Sequence, residues 1–185
     1  MSLHRDDAAA ALDDIATTER RTRERLFYDG SGDILIAWGV LCVIGYLANW
    51  LHPHNAVVVW LALDVAGSAA TAAILARRIP RARWRLAAGQ QIATYAAFMV
   101  FGVLMHVEFA PVRPRQADVF WPTLVMFGYV LMGIWAGRFL AYLGMLVTVL
   151  ILVGFFALGQ WFLPWMAVVF GGGLIAGGLW FRRMA

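Results

Sequence analysis

The chain has 185 residues, of which 62% are hydrophobic and 14% charged, with a formal net charge of +4. A soluble domain keeps about a quarter of its residues charged, so this composition excludes an ordinary soluble globule and excludes disorder. Six spans of roughly 20 residues would use most of the length, leaving a tail and short loops but no sizeable extramembrane domain.

The polar residues open the chain, in a first unit over residues 1–33. From Asp6 to Phe27, Leu12, Ile15, Glu19, Thr22 and Leu26 recur at three- and four-residue steps, with acids early and arginines late. That order suits the helix dipole and predicts a short cytoplasmic amphipathic helix. Two uses fit it: lying on anionic headgroups, or docking a cytoplasmic protein partner. There is no short apolar core followed by a small-residue cleavage site, so a signal peptide is not expected. Asp29-Gly30-Ser31-Gly32-Asp33 reads as a hinge before the membrane. It lacks the Lys-Ser/Thr of a phosphate loop.

The second unit, 34–185, holds six apolar runs at about 34–51, 56–76, 86–107, 119–135, 139–158 and 162–181. Each can cross a hydrocarbon core of ~30 Å at ~1.5 Å per residue. The predicted fold is an all-α integral membrane protein, a six-transmembrane-helix bundle. Arginine sets the expected orientation. The chain has no lysine, and thirteen of its fifteen arginines share the side of the N-terminus if the spans alternate; only Arg113 and Arg115 fall opposite. Both termini are then cytoplasmic by the positive-inside bias, and a bacterial inner membrane is the expected location. The arginines are scattered over short loops, which points to anionic lipid and away from nucleic acid.

Even-numbered spans share a spacing. Trp60, Gly67 and Arg77 recur as Trp121, Gly128 and Arg138 and as Trp165, Gly172 and Arg182. Interfacial residue types one membrane thickness apart explain the ends of this pattern, and a triplicated helical hairpin explains the shared glycine as well. Small residues in span two, from Ala66 to Ala73, and in span six, at Gly171 to Gly173 and Gly177-Gly178, mark faces for close helix approach, within the bundle or between copies in a homo-oligomer. The single cysteine, Cys42, reads as packing.

Acids are scarce at depth, so Asp64 stands out. It lies ~12 Å into span two by helical rise, with no arginine at its level. Burial favours its neutral form and makes reversible protonation an expected use. Gln91, Tyr95, Tyr129 and Thr148 reach similar depth, and Ser68 follows Asp64 by one turn. Together they form either a polar layer that fixes helix register or a site for a ligand or a proton. At the opposite membrane face, His52, His54, His106 and Glu108 are ligand types suited to a divalent metal, and they are equally at home in a solvated loop. Asp118 precedes span four beside them. No H-E-x-x-H motif and no Ser/His pair for catalysis is present, so an enzyme is the less expected class. The expected function is binding of a small solute, ion or lipid-like ligand at the Asp64, Ser68, Gln91, Tyr95 and Tyr129 layer, with proton-linked transport. Two other classes stay open: a membrane sensor acting through the N-terminal helix, and a metal-dependent membrane enzyme using the histidines.

Overall fold

The computed structural model describes residues 31–78, 81–110, 112–136 and 138–184; for residues 78, 81–92, 95, 135, 136 and 184 the description is of the backbone alone. The amphipathic helix expected from Asp6 to Phe27 lies outside the described residues. Every regular element among the described residues is helical. These elements are α1 (Ser31–Leu51), α2 (Ala56–Arg78), α3 (Arg81–Glu108), α4 (Pro114–Ala136), α5 (Arg138–Ala157), α6 (Phe162–Met166) and α7 (Gly172–Met184). A π-helical turn, Ala167–Gly171, joins α6 to α7, and 3-10 turns at Pro53–Asn55 and Gly159–Trp161 lead into α2 and α6.

Five of these segments are long and apolar enough to cross a bilayer: Ser31–Leu51, Pro53–Arg77, Pro114–Ile134, Arg138–Ala157 and Gly159–Arg183. The chain is therefore read as an integral membrane protein. In α3 the apolar stretch among the described residues is the shorter Ala96–Glu108.

The helices overrun their apolar runs because a hydropathy boundary falls at the first charge, whereas the hydrogen-bonded ladder continues through it. Thus α4 begins at Pro114, a residue suited to the first helical turn, and takes in Arg115, Gln116 and Asp118. Ser31, Gly32 and Asp33, expected in a hinge, are already helical. Gly32 serves close packing: a Cβ there would run into the Gly178 carbonyl oxygen. Asp33 forms an ion pair with Arg182 of α7, whose Nε lies 2.6 Å from Oδ1.

Neighbouring helices run antiparallel. Asp33–Arg182 and the stacked pair Phe139–Trp180 mark one end of the bundle, the arginine end. Trp50–Trp161 and Phe155–Phe162 mark the other, the histidine end. Among the described residues, the buried hydrophobic core lies in four of the spans. Leu35, Cys42 and Tyr46 of α1, Met126 of α4, Val147 and Ile151 of α5, and Phe162, Met166, Phe170 and Phe181 of the last span are all buried in it.

Glycine sets how closely these helices meet. Gly32 and Gly39 of α1 face Gly178 and Gly171, where an added Cβ would strike backbone carbonyl oxygens of the opposing helix. Lipid supplies no hydrophobic drive between helices, so such backbone-to-backbone contact is the available source of adhesion. The repeated Trp has a matching role in each hairpin. Trp60 covers Gly45, Trp121 covers Gly102 and Trp165 covers Gly154, each glycine lying on the preceding helix. The repeated Gly67 and Gly128 receive Trp38 and Phe98 in return, while Gly172 is open. Two of the indoles also satisfy their N–H groups, Trp38 on Thr71 Oγ1 at 3.0 Å and Trp165 on the Leu150 carbonyl at 2.9 Å.

Candidate functional site

The helix face that carries Asp64 is set by the Trp–Gly contacts. Trp60, Gly67 and Thr71 of α2 turn toward α1, and Asp64 lies on the flank of that face. Both Asp64 and Ser68 are exposed on the outside of the bundle, and neither makes a hydrogen bond among the described residues. Cys42, buried on α1, is close enough to Asp64 for electrostatic interaction. Tyr129 of α4 and Tyr46 of α1 lie within electrostatic range of the same thiol. The described part of the expected polar layer is thus not gathered into one hydrogen-bonded group, and Cys42, a residue that the sequence reading assigned to packing, lies in the electrostatic neighbourhood of Asp64 and Tyr129. Gln91 and Tyr95 lie on α3, and their side chains are outside the description. Thr148 is turned inward on its own helix, donating to the Gly144 carbonyl at 2.7 Å.

A second polar group forms nearer the histidine end, between α1 and α4. Asn49, 7% exposed, donates through Nδ2 to Asp118 Oδ1 at 3.2 Å. Tyr46, 2% exposed, places its hydroxyl 3.5 Å from the Asp118 carbonyl oxygen. That carbonyl has a local reason to need a donor. Pro122 sits four residues on, inside α4, and proline has no N–H to return to it. In a hydrocarbon environment a freed backbone acceptor must be satisfied by protein, and Tyr46 supplies the hydroxyl. Aromatic rings hold Tyr46 in place: Trp60 edge-on at 5.0 Å and Phe170 at 6.3 Å. Phe170 is presented by the π turn, a distortion frequent at functional positions.

Cys42, Tyr46 and Asn49 follow one another at four- and three-residue steps, so they occupy one face of α1. All three are buried. This seam runs ~10 Å along the helix, with Asp118 at one end and Asp64 beside the other. Sequence reasoning placed Asp118 only ahead of span four, as a carboxylate beside the outer histidines. Two signals could have found it: proline four residues after the aspartate, and polar residues at helical spacing in an otherwise apolar first span.

The residues considered for a metal do not gather. His52, His54 and Glu108 are exposed, and His106 is stacked on Trp121 with centroids 5.4 Å apart, edge-on to Phe120. Its Nε2 is buried without a hydrogen-bond partner among the described residues. Among the described residues, no three His, Cys, Asp or Glu side chains are close enough to share an ion. The physical reason lies in the connections: His52 and His54 flank a proline in the turn that starts α2, while aromatic packing draws the His106 ring onto α4.

The small-residue faces separate into two kinds. In the last span they are used inside the chain, with Gly171 and Gly178 against α1, and Gly173 and Gly177 against Val147 and Leu143 of α5. In α2, Ala62, Ala66, Ala69, Ala73 and Ala76 stay exposed. Arg115 closes the histidine end of the bundle, donating to the Phe155 carbonyl at 2.6 Å with its guanidinium 5.2 and 5.3 Å from the Phe155 and Phe162 ring centroids.

No protein-family model, curated protein or solved structure matches this chain.

Proposed function

We propose that the protein is a six-span bundle of a bacterial inner membrane, with both termini cytoplasmic, that binds a proton at Asp64 and couples it to movement of a small solute, ion or lipid-like ligand. The observation that supports this reading is the setting of Asp64. It is an acid within an apolar span, without a hydrogen bond among the described residues, exposed on one side and in electrostatic reach of a buried thiol on the other. A carboxylate in hydrocarbon is costly to keep, and an exposed position on an apolar span suits a group that changes its protonation state. Ser68 and Tyr129, with Gln91 and Tyr95 of α3, complete the proposed binding layer. Anionic headgroups at the cytoplasmic arginines are the proposed lipid partners, which places the arginine end inside.

The test uses the full chain in liposomes with dicyclohexylcarbodiimide, an apolar reagent that modifies protonated carboxyls from the lipid phase. The adduct is expected at Asp64, falling as pH rises and absent in Asp64→Asn. A proton flux driven by a pH step should drop with the same substitution. An unmodified Asp64 across the acid-to-alkaline range, or an Asp64→Asn flux equal to the parent's, would overturn the proposal.

A further inference from the structure

The contact between α1 and α4 at the histidine end holds a carboxyl that the reading of Asp64 does not use. We infer that Asp118 is a second proton-binding site, and that its proton latches α1 to α4 by closing a two-bond acid–amide ring with Asn49. This inference goes beyond the proposed role of Asp64 and does not depend on it.

Two flat groups meet here. Asn49 is 7% exposed, and its Nδ2 donates to Asp118 Oδ1 at 3.2 Å. That bond sets a carboxamide against a carboxyl and leaves one oxygen on each, Asn49 Oδ1 and Asp118 Oδ2, without a described hydrogen bond. Both oxygens are acceptors while the acid is ionised, so they repel when turned toward each other. A proton on Oδ2 makes that pair a donor and an acceptor, and the ring closes with one hydrogen bond in each direction. The backbone beneath is held separately: the Tyr46 hydroxyl lies 3.5 Å from the Asp118 carbonyl oxygen, which Pro122 leaves without a helical donor. The proton therefore acts on the side-chain pair alone.

No described cation takes the proton's place. On α4, Arg115 is one turn from Asp118, but its guanidinium is turned to the Phe155 carbonyl and the rings of Phe155 and Phe162. From α3, His106 is stacked on Trp121 and Glu108 is exposed, as are His52 and His54 in the turn before α2. On α1, Asn49 and Tyr46 make the described contacts with Asp118. The titratable residues of α5 and the last span, Arg138, Tyr142, Arg182 and Arg183, belong to the arginine end. A carboxylate between two membrane helices without a cation is costly, and a bound proton removes the charge. As pH rises the proton leaves, one of the two bonds goes with it, and the contact between α1 and α4 loosens.

The test uses the full chain in liposomes. Infrared titration of Asp64→Asn should show a protonated-carboxyl stretch that fades as pH rises, is missing once Asp118→Asn is added, and shifts with Asp118→Glu. Backbone deuterium exchange, corrected for the intrinsic effect of pH, reads the latch. Protection of residues 46–51 in the parent should fall at least tenfold from acid to alkaline buffer. In Asp118→Asn, whose carboxamide pairs with Asn49 in both directions without a proton, protection should stay within twofold over the same range. Equal falls in parent and variant, or a parent that does not respond to pH, would overturn the latch. A titration with no band that depends on Asp118 would overturn the site, and neither result touches the labelling of Asp64.

Discussion

The last span and α2 are both apolar enough to cross a membrane, yet half of the residues in the last span's most apolar window are buried inside the chain, against 6% for α2. Hydropathy measures what a helix tolerates around it. Burial measures what it touches, and the difference lies in glycine. The last span meets α1 backbone to backbone at Gly171 and Gly178, whereas α2 meets α1 through indole rings lying over single glycines and keeps its alanine stripe outside. Among the described residues the tightest packing therefore joins α1 to the last span, and α2 carries Asp64 on the outside of the bundle.

Four expected outcomes break or sharpen that contrast, beginning with the largest. Gly39→Leu places a side chain against the Gly171 carbonyl and the Ile175 backbone, neither of which can rotate away. Overpacking of this kind should cost about 3 kcal/mol or more, read as a loss of folded protein in thermal unfolding in detergent. Ala66→Leu on the open face of α2 should stay within about 0.5 kcal/mol of the parent, and an equal loss in both variants would erase the distinction.

Next comes Arg115→Gln, which removes a hydrogen bond and a cation held over two rings. A loss of about 1–2 kcal/mol is expected in the same measurement. Tyr46→Phe should cost about 1 kcal/mol, the range found for hydrogen bonds between membrane helices. In a Pro122→Ala background that cost should nearly vanish, because residue 122 then returns an N–H to the Asp118 carbonyl. A double-mutant cycle with no coupling would show that Tyr46 does not compensate for the proline.

The smallest expected effect is that of Asp64→Leu. Removing an exposed, unpaired carboxyl from an apolar helix should change stability by no more than about 0.5 kcal/mol, and in the favourable direction. A loss as large as that of Gly39→Leu would make Asp64 a structural anchor and remove the reason to assign it a proton.

The helices were legible because apolar runs of membrane length have few alternatives, and each predicted run lies within or close to one of the observed helical segments. The Trp–Gly spacing was legible too, and its physical content is steric: a large ring on one helix needs a missing Cβ on its neighbour. Which spans form the core was not legible, since Gly67 in α2 and Gly171 in the last span look alike until it is known that one faces a ring and the other a backbone. The Asp64 layer was readable only in part. Depth can be counted along a chain, but the nearness of Cys42 to Asp64 depends on how α1 and α2 pack. Asp118 was hidden by its own charge, which ended the apolar run and made a helical residue look like loop.

The glycine contacts between α1 and the last span also set an order of events. A ribosome reaches Gly171 roughly ten seconds after Gly39 at about 5–20 residues per second, so for that interval the face of α1 that will hold the last span has no partner in the growing chain. α1 waits for the span that carries Gly171, and the core closes only once that span has been made. An early release of the chain would leave α1, with its buried polar seam, open to whatever else the membrane contains.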